Sequence, residues 1–76
     1  MALTLENKNV GDEVWIDGYT SMAQQNFGKR IITGIDYRFD ETTGEKYKII
    51  QIDNDWYDSR DGGCYSNKES MYYIED

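Results

Sequence analysis

Between Val10 and Asp17 the chain alternates. Val10, Val14 and Ile16 fall on one side, and Glu13, Trp15 and Asp17 on the other. Period two predicts a half-buried strand. A second run, "RIITGIDYRF", places Ile31, Thr33, Ile35, Tyr37 and Phe39 on one face and Arg30, Asp36 and Arg38 on the other. Gly34 interrupts it, as glycine does at a bulge or a bend. "DETTGE" follows as a hairpin turn in which Gly44 supplies the positive φ. "KYKIIQID" returns as the partner strand. Its parity is ambiguous at Ile49-Ile50, as expected where a strand is covered on both faces or carries a bulge. "WYDSR" reads as a short strand, "DGG" as a tight turn, "SNKES" as a single helical or three-ten turn, and "MYYIE" as the last strand.

Outside these runs the pattern is weaker. The first nine residues form a lead-in. The stretch from Asp17 to Lys29 has no strand periodicity and reads as a long loop (17–29). Thr20 or Ser21 can cap a short helical turn there, with Gly28 closing it. No repeat and no low-complexity tract is visible. The expectation is an all-β chain of five short strands in one domain (1–76), closed into a small, strongly bent barrel that hides its edges. The opening "VGDEVWI", the long loop, the hairpin "GKRIITGIDYRFDETTGEKYKIIQI", the "DWYDSRDG" segment and the "SNKESMYYIE" finish resemble the layout of an SH3-like barrel. The resemblance spans roughly Val10 to Glu75 and is one of strand lengths and loops. The alanine-leucine-tyrosine-aspartate run and the groove proline of the peptide-binding signalling domains are missing, so a Pro-rich ligand is not implied. Size and acidity also resemble small phage-encoded accessory proteins, many of which inhibit a host protein.

Composition narrows the function. The 76 residues carry a net charge of −7. Residues 53–76 hold seven acids against two bases, so the acidity is concentrated there. Such a chain repels phosphate backbones, which argues against direct binding of nucleic acid. No apolar run approaches the roughly 20 residues needed to cross a bilayer. No secretory signal is seen and the single cysteine forms no internal disulfide, so a cytoplasmic location is expected.

The stretch "DNDWYDSRDGGCYSN" invites three kinds of chemistry. A calcium loop needs oxygen ligands at positions one, three and five, glycine at six and glutamate at twelve. Counting from Asp53, position five is Tyr57, six is Asp58 and twelve is Cys64. Counting from Asp55, position three is Tyr57. Neither register fits, and zinc has one cysteine and no histidine to use. A reactive thiol needs a base or a positive neighbour, whereas Cys64 lies among aspartates and reads as a small half-buried hydrophobe. Without histidine, serine nucleophiles lack their usual base, and "DGG" is no phosphate loop. No enzyme activity, cofactor or metal is expected.

Binding remains. The chain has two Trp and seven Tyr, more rings than a small core hides. Trp15 falls on the polar parity of its strand. Trp56 and Tyr57 alternate, as do Tyr72 and Tyr73, so one ring of each pair should face outward. Exposed Tyr and Trp anchor interfaces, and acids around them suit a basic partner. The alternative use of these rings is to close the barrel ends with only their polar tips wet. The residues expected to bind a partner are Trp15, Tyr19, Asp53, Asp55, Trp56, Tyr57, Asp58 and Asp61, on a face made by the 53–65 segment and the 17–28 loop. The partner would be a protein with a basic surface; in the narrower form of this expectation that surface binds nucleic acid, and Asp53, Asp55, Asp58, Asp61 and Glu69 stand in for the nucleic acid's phosphates. The competing expectation is a structural or oligomerising barrel subunit of a phage-type assembly, with the oligomeric state left open.

Overall fold

The computed structural model describes residues 4–67 and 69–76. The chain is mostly β. Its strands are β1 (Glu13–Gly18), β2 (Gly28–Ile31), β3 (Gly34–Phe39), β4 (Lys46–Ile52), β5 (Asp55–Asp58) and β6 (Tyr72–Glu75). One helical turn, α1 (Ser21–Gln24), lies between β1 and β2, and a three-ten helix (Thr4–Asn7) precedes β1. The strands form two antiparallel three-stranded sheets, ordered β2-β1-β6 and β3-β4-β5. Among the described residues no closed barrel forms.

The described residues form six strands rather than the expected five because the run over residues 30–39 is divided. The Ile32 N–H bonds to Asp12 O on the first sheet at 2.9 Å, while the Thr33 N–H bonds to Gln51 O on the second at 2.9 Å. The chain therefore changes sheets between these two residues, as strands do at the corner of a sandwich. Gly34 follows the corner. The space its Cβ would fill is taken by the side chains of Gln51 and Trp56. Isolated bridges Tyr57–Cys64 and Gly63–Tyr73 link the sheets on the opposite side.

The corner also overturns the expected apolar face of that run. Ile32 is buried, whereas Ile31 is 52% exposed. A bend at 32–33 resets the parity, so the residue that points inward is the even one. Further along, Tyr37 and Phe39 are exposed, and Lys46 Nζ lies 4.7 Å over the Tyr37 ring. Val10 is exposed too, since β1 starts only at Glu13.

The core lies between the sheets. Val14, Ile16 and Ile74 come from the first sheet, and Ile50, Ile52 and Tyr57 from the second. Ile49 has the opposite parity to Ile50 and is buried as well, so of the two readings open for the Ile-Ile pair, coverage on both faces or a bulge, β4 takes the first. The lead-in reaches the same core through Leu5, which is fully buried there. Lys48 holds it in place, its Nζ donating to Glu6 O at 2.9 Å and Lys8 O at 2.6 Å.

The local devices follow sequence chemistry. Thr20 caps α1, its Oγ1 accepting from Ala23 N–H at 3.1 Å. The 40–45 turn is pinned by Asp40 Oδ1, which accepts from Thr42 and Thr43 N–H, and Gly44 sits at φ 72°. Gly62 sits at φ 81° in the "DGG" turn, against the Ile74 carbonyl. No helix forms among the described residues between Tyr65 and Met71. A single turn closes there through Ser70 N–H to Asn67 O at 3.0 Å. Lys68, within the expected helical turn, lies outside the described residues.

Candidate functional site

Two features could meet a partner: the outer face of the β2-β1-β6 sheet and a cleft between the ends of the two sheets. On the outer face, the alternation of β1 turns Trp15 away from the core. Phe27, just before β2, stacks on it with centroids 5.0 Å apart and planes 10° from parallel. Lys29, the cross-strand partner of Trp15, places Nζ 5.3 Å from the same ring. Beside this pair, Tyr19 packs on Tyr73 at 4.7 Å. The Tyr73 hydroxyl donates to Asp17 Oδ2 at 3.3 Å. Burial, followed by the Asp17 charge, raises the Tyr73 pKa above the ordinary phenol value. Register places Glu75 opposite Trp15 and Asp17 opposite Tyr73. Tyr19 and Phe27 are more than half exposed. The result is a solvent-facing set of four rings bordered by Glu13, Asp17 and Glu75.

The cleft has a volume of about 240 Å³. Asn26 and Arg30 form one wall, the Asp53–Asp55 turn the other, and Tyr57 and Tyr72 lie between them over Ile16 and Ile52. Asp53 adopts φ 56°, which an aspartate tolerates better than most residues. Arg30 is fixed by its own backbone contacts, Nη1 to Lys29 O at 3.0 Å and Nη2 to Asn26 O at 3.1 Å. The Asn26 amide donates to the Tyr72 hydroxyl at 2.8 Å.

The question of which ring in the Trp56-Tyr57 pair faces out is answered by these positions. Tyr57 is 2% exposed and belongs to the core; Trp56 is half-buried on the outer side of the second sheet. That outer side carries its own layer. Arg60 lies 3.7 Å over the Tyr47 ring, Tyr65 packs edge-on against Tyr47 at 6.4 Å, and Arg38 lies 6.0 Å over Tyr65. Arg60 also binds Asp58 at 2.7 Å and Asp40 at 2.9 Å. Those hydrogen bonds raise the Arg60 pKa and, with two backbone N–H donors, lower that of Asp40.

The eight residues expected to form one face therefore fall in several places. Asp53, Asp55 and Tyr57 share the cleft, next to Asn26 of the 17–28 loop. Trp15 and Tyr19 lie on the outer face of the first sheet. Trp56 and Asp58 belong to the outer side of the second. Asp61 is engaged in its own turn, its Oδ1 accepting from Gly63 N–H at 2.8 Å. Sequence reasoning missed Phe27, Arg30 and Asn26. Phe27 lay in a loop without periodicity, and Arg30 was assigned a parity that the bend changes. Among the described residues no three carboxylate or thiol groups gather where they could hold a metal ion. Cys64 is half-buried against the core, its Sγ 3.5 Å from Trp56 O. Comparison of the chain with protein-family models, with curated proteins and with solved structures finds no match.

Proposed function

We propose that this chain is a non-enzymatic, cytoplasmic protein-binding module, an inhibitor or adaptor, that engages a basic surface of a partner protein through an acidic-aromatic face. The observation that carries this is the pairing of an exposed with a half-buried ring twice over, Phe27 on Trp15 and Tyr19 on Tyr73, beside Glu13, Asp17 and Glu75. Rings stacked in advance lose little freedom on binding, and the acidic border favours encounter with a basic patch. The absence of histidine from the sequence supports a non-enzymatic role. No helix among the described residues is long and apolar enough to cross a membrane.

The layout is read as SH3-like, and the size and acidity as those of small phage-encoded accessory proteins. Support comes from β1 lying between β6 and β2, and from β2 running through the Ile32 corner into β3 of the other sheet. The nucleic-acid-mimic form of the proposal has fewer carboxylates to work with than the sequence alone offers. Asp58 is paired with Arg60 and Asp61 holds its turn, leaving Asp53, Asp55 and Glu69. A structural subunit of a larger assembly is the second reading. It is favoured by the exposed Tyr37 and Phe39 on the β3–β4 hairpin.

The test is capture of basic host proteins by the immobilised chain, followed by titration of whatever is captured. Tyr19→Ala with Phe27→Ser, and separately Asp17→Lys with Glu75→Lys, should each weaken binding at least tenfold in variants that keep the native circular dichroism spectrum. Undiminished binding by both variants would refute the placement of the face. A concentration-independent oligomer that captures nothing would favour the second reading.

A further inference from the structure

We infer that the cleft between the Asp53–Asp55 turn and the Asn26–Arg30 wall seats one cationic side chain, a lysine or an arginine, projecting from the basic partner. This deepens the function proposed above and rests on it. The cleft volume of about 240 Å³ is below the roughly 300–1,000 Å³ of clefts that take drug-sized ligands, and it suits a single side chain. Asp53 and Asp55 are exposed and form no ion pair among the described residues. The only other contact of their carboxylates there is a 3.5 Å approach of Ser66 Oγ to Asp55.

A second observation points to a ligand. Tyr57 is 2% exposed and lines the cleft. The hydroxyls of Tyr72 and Tyr73 have protein partners, but the Tyr57 hydroxyl has none among the described residues. Tyr57 shares the lining of the cleft with Asp53, Asp55 and Tyr72. An ammonium or guanidinium placed between the two aspartates supplies donors to both carboxylates and to this oxygen. Its aliphatic stem then lies on Ile16 and Ile52, as the stems of long basic side chains do on apolar surface. The Arg30 guanidinium is tied to the Lys29 and Asn26 carbonyls on its own wall of the cleft, and the two carboxylates opposite outnumber its single charge.

The test uses the whole chain labelled with nitrogen-15 and three small probes: the N-acetyl methylamides of lysine, arginine and norleucine. Lysine or arginine amide should give saturable amide shifts at Arg30, at residues 52–57 and at Tyr72. Norleucine amide, of similar shape but uncharged, should give none. Asp53→Asn with Asp55→Asn should weaken the cationic probes at least tenfold. Asparagine tolerates the left-handed backbone at residue 53, so the turn survives the change. The inference is overturned if neither cationic probe shifts these amides, if norleucine amide shifts them equally, or if the double variant binds as before. Should it fall while Tyr19→Ala with Phe27→Ser still abolishes partner capture, the proposed function stands without the cleft. If the probes bind the cleft but no protein is captured, the seat is real and the proposed function fails.

Discussion

Replacing Gly62 with alanine should be among the most damaging single changes in the chain, and replacing Gly44 provides its control. Both glycines have positive φ, 81° and 72°. Alanine in this region costs about 1–2 kcal/mol. A Cβ on Gly44 would meet nothing within 4 Å, so that cost is the whole effect. A Cβ on Gly62 would run into the carbonyl of Ile74, which is backbone and cannot rotate away. Relief requires moving β6, and that endangers the Ile74 N–H to Gly62 O bond at 2.8 Å and the Gly63–Tyr73 bridge. Leaving a buried backbone group unpaired adds roughly 1–3 kcal/mol. Gly62→Ala should thus cost about 2–5 kcal/mol, against about 1–2 kcal/mol for Gly44→Ala. A chain of this length has roughly 4–11 kcal/mol in total at about 0.05–0.15 kcal/mol per residue. Urea unfolding of the two variants measures the difference as a shift in midpoint at constant slope. Equal shifts for both would refute the reasoning, because they would mean that β6 gives way freely at Ile74.

Other consequences can be checked as directly. Leu5→Ala should cost about 2–5 kcal/mol in urea unfolding, as for any fully buried leucine, although Leu5 lies in what reads as a lead-in. Ser59→Ala should leave stability unchanged or raise it by about 1 kcal/mol, because the buried Ser59 Oγ has no partner; a loss beyond 1 kcal/mol in the same assay would contradict this. In ultraviolet titration Tyr57 should ionise last, since burial pushes its pKa up to about 12. With the folded value above the unfolded one near 10, its contribution to stability is complete below pH 10 and is lost as pH rises toward 12. Asp36 and Asp40 have lowered values, so their contribution is present above about pH 4 and is lost as pH falls through the folded values. Finally, at the free edge of β3 the Tyr37 N–H donates to Asp36 Oδ1 and the Tyr37 carbonyl accepts from Arg38 Nη1, both at 2.8 Å. Asp36→Ala with Arg38→Ala should expose this edge and produce concentration-dependent association by light scattering.

How much of this was legible depended on whether a signal was local. The Thr20 cap, the Gly44 turn and the double burial at Ile49-Ile50 rest on neighbouring residues, and they appear where the sequence places them. Ile31 and Ile32 could not be ranked that way. Which of the two is buried depends on where the chain leaves one sheet for the other, and that is set by Asp12 and Gln51, far away in sequence. Leu5 was hidden for a similar reason: its turn is anchored by Lys48, 42 residues downstream of the Glu6 carbonyl that Lys48 binds. At the candidate site, the aspartates were easy to count but not to sort. Asp58 and Asp61 serve Arg60 and Gly63, leaving Asp53 and Asp55 at the cleft.

The corner at Ile32 has a further consequence. One continuous stretch, residues 28–39, lends its first half to one sheet and its second half to the other. Neither sheet can melt while the other stays whole, because loosening either one unseats Ile32 from the shared core. Unfolding should then be a single cooperative event rather than a peeling of layers. The two walls of the cleft inherit that property: Arg30 belongs to one sheet and Asp55 to the other, yet they open only when everything does. A guest held between them would be bound by a pre-organised seat, and its binding energy would stabilise the whole chain.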